Sequence, residues 1–306
     1  SLGGMANATT TAAVSGLSGS EPSVAGVRLA VLHRTTFHYG APVTQSVNTL
    51  HLEPRTFPYQ KTISALIRVL PATRLRRFTD LFQNVTHHFE LPDAHSRLEI
   101  ESRIRVHNLP LDISDESREA TREAYRDSSI RERIWPYTQE SRRVSRTPEI
   151  WRQSVDVAGG FDSVYQRACA LMEWIHSEFR YEPGTTGVST QVEESFQMRR
   201  GVCQDFTHVM LAMCRAVGVA ARYASGYLYN GPRDTLVGAQ ASHAWCEVYL
   251  PASGWIGFDP TNNTLADERY VKVAVGRDYD DVAPVVGSYH GHGHCRMEVH
   301  VEVEKI

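Results

Sequence analysis

Residues 201–210, GVCQDFTHVM, put a glycine and a cysteine directly before a run with helical spacing. Phe206, Met210, Met213 and Val217 recur on one helical side, and Gly218 is a natural residue for leaving the helix. Cys203 therefore stands in the first turn, where unpaired amide hydrogens and the positive end of the helix macrodipole favour a thiolate. Gly201, lacking a side chain, would let a substrate backbone approach the sulfur. Burial as a small apolar residue is the commoner reason for a cysteine, and it suffices for Cys169, Cys214, Cys246 and Cys295.

A nucleophilic thiol needs a base, and the base needs a group to orient it. Downstream, short strands are expected at 219–229 (VAARYASGYLY), 243–250 (HAWCEVYL) and 254–259 (GWIGFD), with a terminal strand at 297–306 (MEVHVEVEKI). The alternation of HAWCEVYL separates His243, Trp245, Glu247 and Tyr249 from the apolar set Ala244, Cys246, Val248 and Leu250. Among 14 histidines, His243 stands out because it opens this strand, and Asp259 ends the next one before Pro260. Its carboxylate could fix the imidazole tautomer and stabilise the cation. The two must share a face, so opposed residues in a hairpin of these strands must have numbers with an even sum. A four-residue loop breaks that parity. The pattern predicts an odd-length loop around Pro251 to Gly254, or a bulge, with Gly254 available for positive φ.

Upstream, Asp162 is the expected N-cap of a helix whose buried face is Val164, Ala168, Leu171, Met172, Ile175 and Phe179. Residues 111–160 are charged with a thin apolar stripe at Ala120, Ala124 and Ile130, as in a helical linker. Residues 27–110 have period two, seen in Ile63, Ala65, Ile67 and Val69 and in Leu98, Ile100, Ser102, Ile104 and Val106. Turn signals YGAP (39–42), EPRTFP (53–58) and LPDA (91–94) divide them into an antiparallel β-domain. Residues 1–26 are small and polar, with Ser1 to Gly4 ahead of Met5 like a cloning remnant, and are expected to be a disordered tail. Helices followed by strands over 161–306 give an α+β fold class.

Composition bounds the function. The chain has 306 residues, 42% hydrophobic and 22% charged, and its 32 Lys+Arg (lysine only at 61, 272 and 305) are offset by 35 acids to a net charge of −3. No basic stripe interleaved with aromatics marks a nucleic-acid partner. No run approaches the roughly eighteen apolar residues of a membrane span, and no secretory leader is visible, so no membrane partner and a cytoplasmic location are expected. Five cysteines, odd in number and without a CxxC pair, signal neither a disulfide framework nor a zinc ribbon. A competing reading is a metal-binding protein that uses His290, His292, His294 and Cys295 in YHGHGHC (289–295). Alternating His-Gly is poor spacing for such a site, so no metal and no cofactor are expected.

The segments GVCQDFTHVMLAMCRAVGVAARYASGYL (201–228) and SHAWCEVYLPASGWIGFDPTNN (242–263) resemble the cysteine, histidine and aspartate boxes of the bacterial transglutaminase-like superfamily. LAVLHRTTFHYGAPV (29–43) through LHLEPR (50–55) resembles the β-domain that precedes this core in one branch, the transglutaminase-like cysteine peptidases. Thr207 and Cys246 depart from the usual alanine and aliphatic residue without touching the boxes' central positions. The resemblance implies a papain-like core, a central helix packed on an antiparallel sheet. It also implies Cys203 as nucleophile, His243 as base and Asp259 as orienting acid, acting on a peptide or protein amide through a thioester. Water as acceptor makes a peptidase or amidase, the favoured reading, and an amine makes a protein-glutamine cross-linking enzyme. The Cys203 amide would hold the oxyanion with a second donor, for which Gln204, Trp174 and Tyr181 are candidates. Asp205 and His208 are expected to support the site structurally. Trp245 is expected to line an acyl groove or the core. The oligomeric state is left open.

Overall fold

The computed structural model describes residues 25–231, 236–238 and 241–306; residues 1–24 of the expected tail lie outside them. The described residues begin with five strands, β1 (Val27–Glu53), β2 (Gln60–Leu70), β3 (Arg76–Thr79), β4 (Val85–Leu91) and β5 (His95–Asn108). All pair antiparallel in the order β2-β5-β1-β4-β3. YGAP does not end a strand: it lies inside the 27-residue β1, where pairing with β5 slips between His38 and Val43 and the strand leaves β5 for β4. Leu98, Ile100, Ser102, Ile104 and Val106 are all buried as period two requires. Ile63 is not, being 50% exposed, because a bulge between Thr62 and Ser64 shifts the pleat before the inward series Ala65, Ile67, Val69 begins.

Three short helices follow, α1 (Asp115–Glu119), α2 (Ser128–Ile134) and α3 (Pro148–Ala158). Val144, Ile150 and Ala158 from this stretch are fully buried in the main core, so 111–160 is packed against the rest rather than strung between domains. The core continues with α4 (Val164–Glu178), β6 (Arg180–Tyr181), α5 (Val192–Met198), β7 (Arg200–Gly201) and α6 (Cys203–Ala216). Ser163, not Asp162, caps α4, its hydroxyl accepting from the Gln166 amide; the hydroxyl belongs to the residue with extended backbone immediately before the first turn. The six expected face residues of α4 are buried. α6 is the central helix, ending before Gly218 at φ +74°.

The remaining strands are β8 (Ala221–Leu228), β9 (His243–Leu250), β10 (Gly254–Asp259), β11 (Thr264–Leu265), β12 (Tyr270–Gly276), β13 (Val285–His290) and β14 (Cys295–Lys305). An antiparallel sheet in the order β11-β10-β9-β8-β12 packs on α6. Ala244, Cys246, Val248 and Leu250 share that core with Phe206, Met210 and Met213. The fold is thus the expected α+β architecture with a preceding antiparallel β-layer. The boundary differs at the C-terminus, because β13 and β14, assigned from sequence to the second unit, pair with β1 of the first sheet. Alternating sequence in MEVHVEVEKI specifies a half-exposed strand but not which sheet receives it. Among the described residues no helix is long and apolar enough to cross a bilayer.

β12 is an edge strand of the second sheet, and its outward backbone groups meet amide side chains from the first. Gln60 bonds both the amide and the carbonyl of Lys272 at 2.7 Å each. Asn84, fully buried, does the same for Val275 at 2.9 and 2.8 Å. Asn108 donates to the carbonyls of Glu268 and Tyr270. A buried backbone group left unpaired costs about 1–3 kcal/mol, so these amides act as a missing strand. Gln60→Ala should lower the unfolding free energy by about 1–3 kcal/mol in urea denaturation. A change below about 0.5 kcal/mol, the usual range for a neutral surface substitution, would show that the clamp does not contribute.

Candidate active site

The thiol is placed by the start of α6. Asp205, two residues on and buried, accepts from the Val202 amide at 2.8 Å and the Thr186 hydroxyl at 2.6 Å through Oδ2, and from Ser195 on α5 at 3.1 Å through Oδ1. Its charge sits in the first turn, where it also complements the macrodipole. Asp205 is therefore the tie that fixes the turn carrying Cys203. Gly201 has a different role from the one expected: a Cβ there would lie 2.5 Å from Asp205 Oδ2, so the missing side chain makes room for Asp205 rather than for substrate.

His243 and Asp259 come together through the β9–β10 hairpin. Leu250 opposes Gly254 and Cys246 opposes Phe258, with a three-residue loop from Pro251 to Ser253 and positive φ at Ala252 (72°) and Gly254 (79°). This is the odd loop that parity demands, and it puts the Asp259 position next to Trp245 and on the His243 face. His243 Nε2 lies 2.8 Å from Asp259 Oδ2 with both side chains wholly buried. The carboxylate is further held by the Tyr270 hydroxyl at 2.7 Å, by Asn262 Nδ2 at 2.8 Å and by the Thr261 amide at 2.9 Å.

This arrangement sets the charges. Burial alone would lower the His243 pKa, but the Asp259 carboxylate outweighs it and, with Cys203 adding, raises the group to about 10. Burial would raise Asp259; His243 leads the groups that hold it below the ordinary carboxylate value. With Nε2–H directed at the aspartate, Nδ1 is left without a hydrogen-bond partner among the described residues. Cys203, at the start of α6, is the further group that adds to the raising of the imidazole. The site can therefore hold a protonated ring between a carboxylate and a sulfur, which is the arrangement for moving a proton to and from a reacting group.

The other expected residues divide. His208 is buried, accepts from the Tyr279 amide at 3.2 Å and is lowered to about 3 by burial and two nearby arginines, so it is a neutral packing residue. Gln204 directs its amide to the Val188 carbonyl at 3.3 Å. Trp174 packs with Phe179, Phe196 and Arg199. Tyr181 remains near the thiol: burial, then the neighbouring Cys203, raises its hydroxyl to about 12, which keeps it a neutral donor. Trp245 is buried and stacks on His243 with ring centroids 6.1 Å apart, backing the imidazole. His290, His292, His294 and Cys295 lie at the β13–β14 turn; among the described residues no group of three or more His, Cys, Asp and Glu is arranged to hold a metal.

Four residues near the site carry no signal that single-strand patterning could read. Tyr270 reaches Asp259 only because β12 joins the far side of β8. Tyr223 is buried, with burial and Cys203 raising its hydroxyl. Asn262 bridges Asp259 to both backbone groups of Val237, and Gly238 (φ +96°) sits so close that a Cβ would lie 2.4 Å from His243 Nδ1. Asn262 is the one with a hint, standing three residues after the aspartate in DPTNN.

Comparison with known proteins gives a consistent picture. Residues 153–260 match the transglutaminase-like superfamily, and residues 29–107 match the bacterial transglutaminase-like N-terminal region. An uncharacterized protein of Mycobacterium leprae (strain TN) is 33% identical over 294 residues, covering 91% of this chain and 99% of its own length. A protein-glutamine gamma-glutamyltransferase of Pseudomonas aeruginosa is 33% identical over 108 residues, which are 33% of this chain and 16% of that protein. The fold is shared with the crystal structure of a candidate cysteine protease from Cytophaga hutchinsonii, at a TM-score of 0.75 over 92% of this chain and 91% of that one, with 20% identity.

Two measurements follow from the site. Cys203 is part-exposed beside an imidazolium, whereas Cys214 and Cys246 are buried and burial raises Cys169. Iodoacetamide at about pH 6 should alkylate Cys203 ahead of the other four by peptide mapping, and equal labelling of several would remove its special status. The His243 value, raised from 6.5 to about 10, contributes stability that is complete below pH 6.5 and lost as pH climbs through 10. The melting-temperature gap between the protein and His243→Gln should therefore narrow from about pH 7 to about pH 10, and a gap independent of pH would mean a neutral ring.

Proposed function

Because the chain belongs to the transglutaminase-like superfamily, we propose that it is a thiol-dependent acyl-transfer enzyme acting on amide bonds, with Cys203, His243 and Asp259 as its catalytic set. The observation that carries this reading is the wholly buried His243–Asp259 pair, 2.8 Å apart, with Cys203 at the start of α6 among the groups that raise the imidazole. Cys203 Sγ attacks the amide carbonyl carbon as a thiolate, with His243 holding the proton. The tetrahedral oxyanion forms against the Cys203 backbone amide, with Tyr181 the best-placed second donor. Collapse breaks the C–N bond, His243 delivers its proton to the departing nitrogen, and a thioester remains on Cys203. A second nucleophile then gives its proton to His243, attacks the thioester and regenerates the thiolate. Asp259, fixed by Tyr270 and Asn262, keeps the ring oriented and stabilises its cation through both steps.

Water is the favoured second nucleophile, making the protein a peptidase or amidase. An amine acceptor, giving protein-glutamine cross-linking, is the second reading, favoured by the named activity of the Pseudomonas aeruginosa relative, which shares a 108-residue segment with this chain. Neither route uses a metal or cofactor.

A library of peptide and glutamine amides, offered with and without a primary amine and followed by ammonia release and product mass, separates the two. Hydrolysed products whose yield ignores the amine support the first reading, and amine adducts support the second. Cys203→Ala should abolish turnover and trapping of a thioester, while His243→Ala should lower the rate by at least about a hundredfold. Turnover that survives Cys203→Ala would end the proposal.

A further inference from the structure

Behind the catalytic set, on the face of the second sheet turned away from α6, lies a cavity of about 410 Å³. Its walls come from the β1–β2 turn of the first layer, including Arg55 and Phe57, and from Arg222, Glu247, Trp255 and Lys272 of the second. Neither Cys203 nor His243 lines it. The volume falls in the range of small-molecule sites, roughly 300–1,000 Å³.

The charge of the cavity is unbalanced. Glu247 is buried; burial would push it up, but Lys272 and Arg222, at 2.7 and 2.8 Å, hold it down at about 2. One carboxylate thus serves two cations. Asp267 is taken up by Arg269 outside the wall. Arg55 has no ion pair among the described residues, and its Nε is buried without a hydrogen-bond partner. The first charge acting on it is the like charge of Arg222. The Phe57 ring lies 4.9 Å from its guanidinium carbon, and the more distant Glu247 and Asp80 act on its charge in the opposite sense to Arg222. Nearby, Lys272 Nζ lies 4.1 Å from the same ring and the Arg222 guanidinium 4.3 Å from Trp255.

A guanidinium held beside another cation with an unsatisfied buried N–H is destabilising on its own. It matches the bidentate geometry of a carboxylate, and the flanking rings match a flat apolar body. We propose that this cavity is a binding site for a small organic anion, a carboxylate on an aromatic body, received by Arg55 against Phe57 and Trp255. The site is distinct from Cys203 but lies against the back of the His243–Asp259 pair. Trp245 and Tyr270 line the cavity, and the same two side chains stack on His243 and bond Asp259.

The test uses 3-phenylpropionate as probe, with 3-phenylpropanamide and inorganic phosphate as controls, followed by tryptophan fluorescence and by thermal shift on the full chain. Saturable binding of the carboxylate is expected, at least tenfold tighter than the amide or phosphate. Arg55→Gln should weaken it at least tenfold while melting no lower than the parent, and Arg55→Lys should recover part of the loss. Cys203→Ser should bind as the parent does, which separates this site from the thiol. Equal binding of acid and amide, equal or tighter binding of phosphate, unchanged binding in Arg55→Gln, a lower melting temperature of that variant without ligand, or loss of binding in Cys203→Ser would each overturn the assignment.

Discussion

An imidazole and a carboxylate, both without solvent contact, form the interaction on which the rest of the molecule depends. Removing two charged groups from water costs several kcal/mol apiece, and their attraction offsets this only when the remaining hydrogen-bonding capacity is also satisfied. The fold meets that condition around Asp259 with Tyr270, Asn262 and the Thr261 amide. They come from two features: a strand separated from β10 by two others, and the turn that follows Asp259. The three-residue loop of the β9–β10 hairpin is as much part of the pair as the side chains, since a slip of one residue would turn Asp259 to the opposite face.

That requirement reaches into the N-terminal layer. Tyr270 sits on β12, and β12 is an edge strand held by Gln60, Asn84 and Asn108. The β-layer is therefore joined to the carboxylate through one strand and one phenol. The same contact leaves the cavity that Arg55 enters, so the surface joining the two layers both supports the His243–Asp259 pair and presents an unmatched cation behind it.

Local features were legible from the sequence. The position of Cys203 at the head of an amphipathic helix, the two faces of HAWCEVYL, the parity of the hairpin and the period of residues 98–106 all follow from patterns internal to one or two elements. What pattern could not supply was partnership at a distance. The terminal alternating strand gives no sign that it returns to β1, and Tyr270 and Gln60 look like ordinary strand residues until β12 is placed. Gly201 misled for a related reason: a missing side chain marks close approach without saying what approaches, and here it is Asp205. Asp162 and Ser163 are equally good caps by residue type, and only the backbone path selects Ser163.

The side-chain amides laid along β12 also decide where the second sheet ends. A real strand laid along that edge would satisfy Lys272 and Val275 but would offer a fresh ladder on its far side. Side-chain amides pair with the edge and present nothing further, so the sheet stops there. Cut away from the layer that carries them, the second sheet would expose a row of unpaired backbone groups over an apolar strand, a template for strand exchange between molecules. The N-terminal layer thus also closes this edge of the second sheet, built into the chain ahead of the part it covers.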